Sequence, residues 1–271
     1  MQKYFSLDDN FKLLIKRNLH DLISYKQIST GWTNFVFIAT TKKSQYIFRF
    51  PRNDFFANAL EKEFKINQFL QNKLSFKIPQ MQLYYHKHRP YSVHIKLDGE
   101  SLSSCYHKLT DKQKNDLAKD CCKLLKELSS IQLDPKNFQL VSNFLDELSF
   151  VSGNNYDLSI HSEMKNMEQK HLIFSHGDLN PGNLILKDHK LYAVIDFAFS
   201  GVSCDLLDIA RLIGRCPNDL KKLLLNNYEK EFGKIDLKEI QKLQYIWSYV
   251  EEKYIQYMNQ NCPDIVLSNL V

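Results

Sequence analysis

A polar stretch that runs directly into an apolar one, HGDLNPGNLIL at residues 176–186, most constrains how this chain can fold. Its Gly, Asp, Asn and Pro residues are typical of a loop, and the NLIL segment that follows is typical of a short strand. A second apolar segment, LYAVID at 191–196, comes after a short polar turn. The spacing predicts an antiparallel hairpin that brings Asn183 and Asp196 together at one end, with Asp178 in the loop beside them.

Two carboxylates and an amide oxygen at one place make a chemically defined set. Hard oxygen ligands of this kind suit Mg²⁺, which takes one or two protein carboxylates and keeps positions for water and substrate phosphates. We therefore expect Asn183 and Asp196 to hold Mg²⁺ next to Asp178.

The sequence pattern changes after the first third of the chain, from mainly strand-like to mainly helical. FVFIATTKKSQYIFRF at 35–50 predicts a hairpin, a helix follows over roughly 55–73, and QLYYH and YSVHIKL predict two strands separated at Arg89-Pro90. Ser6 with Asp9 predicts the start of an earlier helix, and Thr110 with Gln113 predicts a capping box that opens a long amphipathic helix. Apart from the late hairpin, the remainder is expected to be mainly helical. The pattern predicts an α+β fold with a small β-rich N-lobe at 1–97, a larger mainly helical C-lobe at 98–271, and a cleft between them.

Charge and composition exclude several classes of protein. The formal net charge is +5 over 271 residues, and basic residues alternate with acidic ones, so no basic face for nucleic acid is expected. No apolar run reaches the roughly 18–20 residues of a membrane helix, and the N-terminus has no secretory signal, which predicts a cytoplasmic protein without membrane contact.

The six cysteines lack zinc-site spacing and are expected to be free thiols. The chain is expected to be a monomer or a weak dimer.

The spacing His-x-Asp-x-x-x-x-Asn, with a further Asp after the next strand, is the catalytic-loop pattern of protein kinases. Here Gly177 replaces the usual Arg, and DFA replaces DFG. HGDLNPGN…VIDF instead resembles the aminoglycoside phosphotransferase/choline kinase family, protein-kinase-like enzymes that phosphorylate small molecules. The resemblance implies a bilobal protein-kinase-like fold in which Asp178 accepts the proton of the substrate hydroxyl, while Asn183 and Asp196 hold Mg²⁺.

The resemblance extends over most of the chain. STGWTNFVFIATTKKSQYIFRFPR resembles the first hairpin of the family, which implies the following nucleotide-binding residues: Thr30, Gly31 and Asn34 over the phosphates, Arg49 on their oxygens, and the main chain of Ile95–Leu97 on the base, with Ile95 and Leu97 at its ends. CDLLDIARLIG resembles the segment after the metal-binding Asp and implies that Asp208 anchors the catalytic loop. The family has a second acidic position in this segment. Asp205 lies one residue away from that position, so the resemblance assigns it no role.

Glu63 supports the nucleotide site from spacing alone. It lies within or beside the apolar stripe of the 55–73 helix, where a carboxylate needs a partner. Arg49 on the preceding strand is the natural candidate. The alternative is that Glu63 borders the stripe in water.

The expected activity is ATP-dependent phosphoryl transfer, with GTP as the alternative donor, to a hydroxyl group of a small molecule. Aminoglycosides, choline-like or other amino alcohols, and sugars all remain candidate acceptors. Aromatic and acidic residues of LQYIWSYVEEKYIQYMNQN could hold a cationic ligand, although the pattern favours an amphipathic core helix with a solvated acidic face; these residues are Trp247, Tyr249, Glu251, Glu252 and Tyr254. The alternative function is a pseudokinase or nucleotide-binding interaction module, against which Asp178, Asn183 and Asp196 argue.

Overall fold

The computed structural model describes residues 4–6, 9–28, 33–132, 138–143, 146, 158–169 and 171–261. The chain divides into two compact units, one formed by Met1–Phe69, Pro79–Leu97 and Ile255–Val271, the other by Leu70–Ile78 and Asp98–Tyr254. A five-stranded sheet lies in the first unit, and helices dominate the second, so the predicted α+β class is confirmed. The assignment of lobes to 1–97 and 98–271 stays a prediction.

The first part of the chain alternates strands with two helices. Its elements are α1 (Phe11–Asn18), β1 (Leu22–Ile28), β2 (Asn34–Thr41), β3 (Gln45–Pro51), α2 (Asp54–Leu70), β4 (Gln82–His86) and β5 (Arg89–Ile95). The strands form an antiparallel sheet in the order β1-β2-β3-β5-β4.

Two boundaries differ from the sequence prediction. The cap of α1 is Asn10, whose side chain accepts the Leu13 N–H, whereas Ser6 and Asp9 bond to each other before the helix. The β4–β5 turn is formed by Lys87 and His88, both with positive φ, so Arg89 and Pro90 lie inside β5. In both places the local hydrogen bonds or turn geometry set the boundary of the element a few residues away from the predicted position.

Residues of the sheet alternate between its two faces, and this alternation positions Arg49. Phe48 and Phe50 of β3 point into an aromatic core with Phe35 and Phe37 of β2, which α1 also contacts. Since successive side chains of a strand point to opposite faces, Arg49 lies on the face away from this core. It pairs in register with Val36 on one side and Ser92 on the other.

The second part of the chain carries the remaining elements. They are β6 (Glu100–Ser101), α3 (Leu102–Cys105), α4 (Asp111–Ser129), α5 (Leu158–Glu168), β7 (Leu172–Ser175), β8 (Leu184–Lys187), β9 (Lys190–Val194), β10 (Gly201–Cys204), α6 (Leu207–Arg215), α7 (Asn218–Phe232) and α8 (Leu237–Asn261). The predicted late hairpin is β8–β9, which β6 extends to three strands. The rest is mainly helical, as predicted, but β7 and β10, which the sequence pattern did not indicate, form a separate antiparallel pair.

The capping box predicted for the long helix is present at α4. Thr110 accepts the Gln113 N–H while the Gln113 side chain accepts the Thr110 N–H. The apolar side of α4 is buried, including Cys121 and Cys122. The five cysteines within the described residues are free thiols, as predicted, and Cys262 lies outside those residues. None of the described helices combines the length and apolar character that a membrane-spanning segment needs.

Candidate active site

The loop between β7 and β8 holds His176, Asp178 and Asn183, and one buried carboxylate fixes its start. Asp208, in the first turn of α6, accepts the N–H of His176 at 2.8 Å and that of Gly177 at 2.9 Å. Burial raises the pKa of Asp208, and its interactions with His176 and Gly177 act in the opposite direction. The anchoring that the family resemblance implied for Asp208 is therefore present as two main-chain hydrogen bonds.

Gly177 is required by the shape of this loop. Its φ is +78°, and a Cβ atom added to it would lie 2.3 Å from the carbonyl oxygen of Phe199. A side chain at this position would meet both an unfavourable backbone conformation and a main-chain atom that cannot easily move. The glycine in place of the protein-kinase arginine thus follows from the close approach of the Phe199 segment.

His176 holds the loop from inside. Its buried imidazole bonds through Nε2 to the carbonyl oxygen of Ile195 at 3.0 Å, while Nδ1 accepts the N–H of Asp178 at 3.3 Å. A carbonyl oxygen can only accept, so Nε2 carries the proton and Nδ1 does not. Its ring links the loop of Asp178 to the segment that leads into Asp196, which is a structural role.

Asn183 and Asp178 bond directly to each other. The Asn183 amide nitrogen donates to the main-chain oxygen of Asp178 at 2.9 Å and to its Oδ2 at 3.3 Å. The amide nitrogen is thereby directed at Asp178, which leaves the amide oxygen Oδ1 on the other side of the amide group. Within the described residues, no hydrogen bond engages that oxygen.

The hairpin brings Asp196 to the same end as Asn183. Leu184 pairs with Val194, and the N–H of Ile195 donates to the main-chain oxygen of Asn183 at 3.0 Å. Asp196 follows immediately with a φ of +67°, a left-handed conformation that Asp adopts only where its surroundings hold it. Among the described residues there is no group of three or more His, Cys, Asp or Glu that could hold a metal ion, so a cation here would depend on the Asp196 carboxylate, the Asn183 amide oxygen and oxygen atoms from outside the protein.

A cationic side chain that the sequence interpretation missed contacts Asp178. Arg211 of α6 donates through Nη2 to Oδ1 of Asp178 and through Nη1 to Glu251 of α8, the latter at 2.8 Å. Its guanidinium carbon lies 4.3 Å from the centre of the Trp247 ring. Arg215 binds the other oxygen of Glu251. The signal in the sequence was a charged residue inside the apolar DIARLIG segment, where a buried charge needs a partner.

Two of the α8 residues considered as ligand-binding candidates take part in these contacts. Trp247 and Glu251 both contact Arg211. Trp247 is buried, as in the amphipathic core helix that the pattern favours.

Arg49 and Glu63 form the ion pair that the sequence predicts. The Nη1 atom of Arg49 donates to both carboxylate oxygens of Glu63, at 2.8 and 2.7 Å. The Glu63 side chain is fully buried and that of Arg49 is 13% exposed. The alternative, that Glu63 borders the helix in water, is wrong. The pair joins β3 to α2 within the first unit.

The other predicted nucleotide-binding residues lie in the same unit or outside the described residues. Asn34 is buried at the start of β2 and donates to the Thr33 hydroxyl at 2.7 Å. Ile95 is 56% exposed at the end of β5, and Leu97 follows it. Thr30 and Gly31 lie outside the described residues.

His94 on β5 shares the sheet face of Arg49, since its register partner Ile47 is two residues from Arg49. Its Nδ1 donates to the main-chain oxygen of Ile95 at 3.0 Å. Burial lowers the pKa of His94 to about 4, and the nearby Arg49 charge adds to the effect, so the imidazole is neutral at physiological pH.

Comparison with known proteins places these features in a family. The model of the phosphotransferase enzyme family matches residues 24–243. No curated protein matches the chain in sequence.

Several solved structures resemble the chain over nearly its whole length. An ADP-bound aminoglycoside phosphotransferase APH(2'')-Ib shares 20% identity at a TM-score of 0.67, covering 95% of this chain and 98% of its own. An aminoglycoside 3'-phosphotransferase of type VIII shares 14% at 0.70, covering 90% and 98%. The macrolide 2'-phosphotransferase MphH from Brachybacterium faecium shares 13% at 0.63, covering 96% and 98%. The predicted protein-kinase-like fold is thereby confirmed.

Proposed function

The chain belongs to the phosphotransferase enzyme family, and we propose that it transfers the terminal phosphoryl group of ATP to a hydroxyl group of a small molecule. GTP is the alternative donor. The observation that carries the proposal is the arrangement of Asp178 and Asn183, bonded to each other in one loop beside Asp196 at the end of the hairpin. In kinases this spacing provides a proton acceptor and two metal ligands.

Asp178 is the group that accepts the proton of the attacking hydroxyl. Its side chain is held from two sides, by the amide of Asn183 on Oδ2 and by the guanidinium of Arg211 on Oδ1. A carboxylate fixed in this way can orient the hydroxyl in line with the phosphoryl group, and orientation is a large part of the work in phosphoryl transfer.

Asn183 and Asp196 are the proposed Mg²⁺ ligands, and the residues present fit that role. The amide of Asn183 directs its nitrogen at Asp178 and leaves Oδ1 for a ligand, and Asp196 adds a carboxylate. When bound, Mg²⁺ would supply positive charge to the phosphate oxygens. An amide and a carboxylate alone leave most of the six positions of this ion to water and phosphate oxygens, as is usual for Mg²⁺ in nucleotide sites.

Arg49 is proposed to position the phosphates of the nucleotide, with Asn34 and the main chain of Ile95–Leu97 as further contacts. Glu63 fixes the guanidinium through its Nη1 atom. An arginine whose guanidinium is held by a buried carboxylate lies in a defined position, and its planar set of donors is of the kind that binds phosphate oxygens. The predicted contacts of Thr30 and Gly31 with the phosphates remain part of the proposal, as do a cytoplasmic location and a monomeric or weakly dimeric state.

The acceptor is tested directly. The purified chain is incubated with Mg²⁺-ATP or Mg²⁺-GTP and a panel of aminoglycosides, choline-like amines, amino alcohols and neutral sugars, and products are detected by mass spectrometry. We expect one added phosphoryl group on at least one alcohol, and none with Asp178→Asn. A chain that binds nucleotide but phosphorylates no alcohol and hydrolyses no nucleotide would favour the pseudokinase alternative.

A further inference from the structure

The oxygen Oδ1 of Asp178 is bound by a cation of the chain itself. The guanidinium of Arg211 lies between the carboxylates of Asp178 and Glu251, and its side chain is only 8% exposed. Two partners on different elements, one in the catalytic loop and one in α8, hold it in place. Arg211 is therefore part of the wall around the proposed proton acceptor.

Trp247 completes the environment of this cation. With the guanidinium carbon 4.3 Å from the indole centre, the pair has the distance of a cation–π contact. An aromatic face next to carboxylates is also what a protein uses to bind an external ammonium or guanidinium group. Here the indole of Trp247 and the carboxylates of Asp178 and Glu251 bind the guanidinium of Arg211.

The charges of this cluster cancel. The two positive charges of Arg211 and Arg215 equal in number the two negative charges of Asp178 and Glu251. Arg211 binds Asp178 and one oxygen of Glu251, and Arg215 binds the other oxygen of Glu251. A site that attracts a polycation needs an excess of negative charge. These four residues offer none.

We propose that Arg211 determines the class of acceptor: it fills the cation-binding position beside Asp178, so the acceptor is an alcohol without a cationic group next to the reacting hydroxyl, such as a neutral sugar. This inference rests on the proposed function and narrows it. An amine on the acceptor would have to displace a buried guanidinium from two carboxylates and an indole, and a buried charge that loses its partners is strongly disfavoured.

The proposal predicts that removing a charge creates a binding site. Kanamycin, a polycationic aminoglycoside, is titrated calorimetrically into the wild-type chain and into Arg211→Ala. We expect weak or undetectable binding to the wild type, and binding at least about tenfold tighter to the variant, because Asp178, Glu251 and Trp247 become available to an external cation. Arg211→Lys keeps a cation and should bind kanamycin as weakly as the wild type.

Lys242→Ala is the matched control. Lys242 lies on α8 and pairs with Glu163 at 3.2 Å. Its replacement by alanine therefore removes one positive charge, as Arg211→Ala does, but leaves the contacts of Asp178 with Arg211 in place. An equal gain in kanamycin affinity for Lys242→Ala would overturn the proposal, as would tight binding by the wild type or no gain in Arg211→Ala. If Arg211→Ala does not fold, Arg211→Gln keeps the length and a donor, and should show a gain in the same direction.

The acceptor preference gives a second measurement. In the product panel, neutral sugars should be phosphorylated with higher kcat/KM than their amino-substituted counterparts, and the opposite order would overturn the proposal. Absence of transfer to any alcohol or to water would instead contradict the proposed function, whereas the kanamycin titration, which needs no turnover, would still decide the role of Arg211.

Discussion

Replacing Asp178 with Asn keeps the shape of the side chain and removes its capacity to accept a proton. Turnover should fall by roughly 10²–10⁴-fold, the usual contribution of a general base, while the affinity for nucleotide stays nearly constant. Steady-state kinetics together with calorimetric titration of Mg²⁺-nucleotide measure both quantities. Near-wild-type turnover in an assay limited by the chemical step would exclude Asp178 as the base.

His94 predicts a pH dependence of stability. Its folded pKa of about 4 lies below the ordinary value of 6.5, so between these values the unfolded chain binds a proton that the folded chain does not. The free energy of unfolding should therefore fall as the pH is lowered from 6.5 to 4, by at most about 3 kcal/mol from this residue.

The comparison with His94→Gln isolates that contribution. Both proteins share every other titrating group, so the difference between their thermal-unfolding midpoints at each pH reports His94. The variant should lose less stability than the wild type on acidification. Parallel pH profiles would show that His94 titrates alike in the folded and unfolded states.

At the scale of elements, a substitution at Gly177 tests the packing of the Asp178 loop against the Phe199 segment. Gly177→Ala places a Cβ atom 2.3 Å from the Phe199 oxygen at a positive φ, whereas Gly233→Ala, at the end of α7, has a positive φ but nothing within 4 Å. Gly233→Ala should cost about 1–3 kcal/mol of stability for its backbone alone, and Gly177→Ala distinctly more. Chemical denaturation measures both, and equal losses would mean that the Phe199 segment does not press on the loop.

The Arg49–Glu63 pair connects β3 to α2 and is suited to a double-mutant cycle. Arg49→Ala removes the proposed phosphate contact and leaves Glu63 buried without this partner, whereas Glu63→Ala removes the carboxylate that positions the guanidinium. We expect a coupling of roughly 0.5–3 kcal/mol in nucleotide affinity and turnover. The double variant should be no worse catalytically than Arg49→Ala. Additive effects within error would show that the ion pair does not contribute to nucleotide binding or turnover.

At the scale of the whole molecule, ligand binding should raise the unfolding temperature. A ligand that binds only the folded state at a hundredfold excess over its Kd adds about 2.7 kcal/mol. Mg²⁺-ATP should therefore stabilise the wild type, chelation of the metal should reduce the gain, and Asp196→Ala should abolish it. Equal stabilisation of the wild type and Asp196→Ala would remove Asp196 from the metal site.

Spacing along the chain was sufficient where the partners are local or belong to one repeating pattern. The β8–β9 hairpin, the Thr110 capping box and the meeting of Asn183 with the Asp196 segment follow from strand pairing and helix capping over a few residues. The Arg49–Glu63 pair was also accessible, because a carboxylate in the apolar stripe of α2 required a cation from a neighbouring strand.

Only the tertiary structure decided the partners that lie far apart in the chain. Arg211 stands 33 positions from Asp178 and 40 from Glu251, and nothing in the local pattern selects these carboxylates among the others. The β7–β10 pair was missed for the same reason, since two four-residue strands carry little periodicity. Periodicity determines which face of an element is buried, whereas packing determines which residue of another element meets it. The sequence therefore predicted the loop that holds Asp178 and Asn183, and the fold supplied the arginine that binds Asp178.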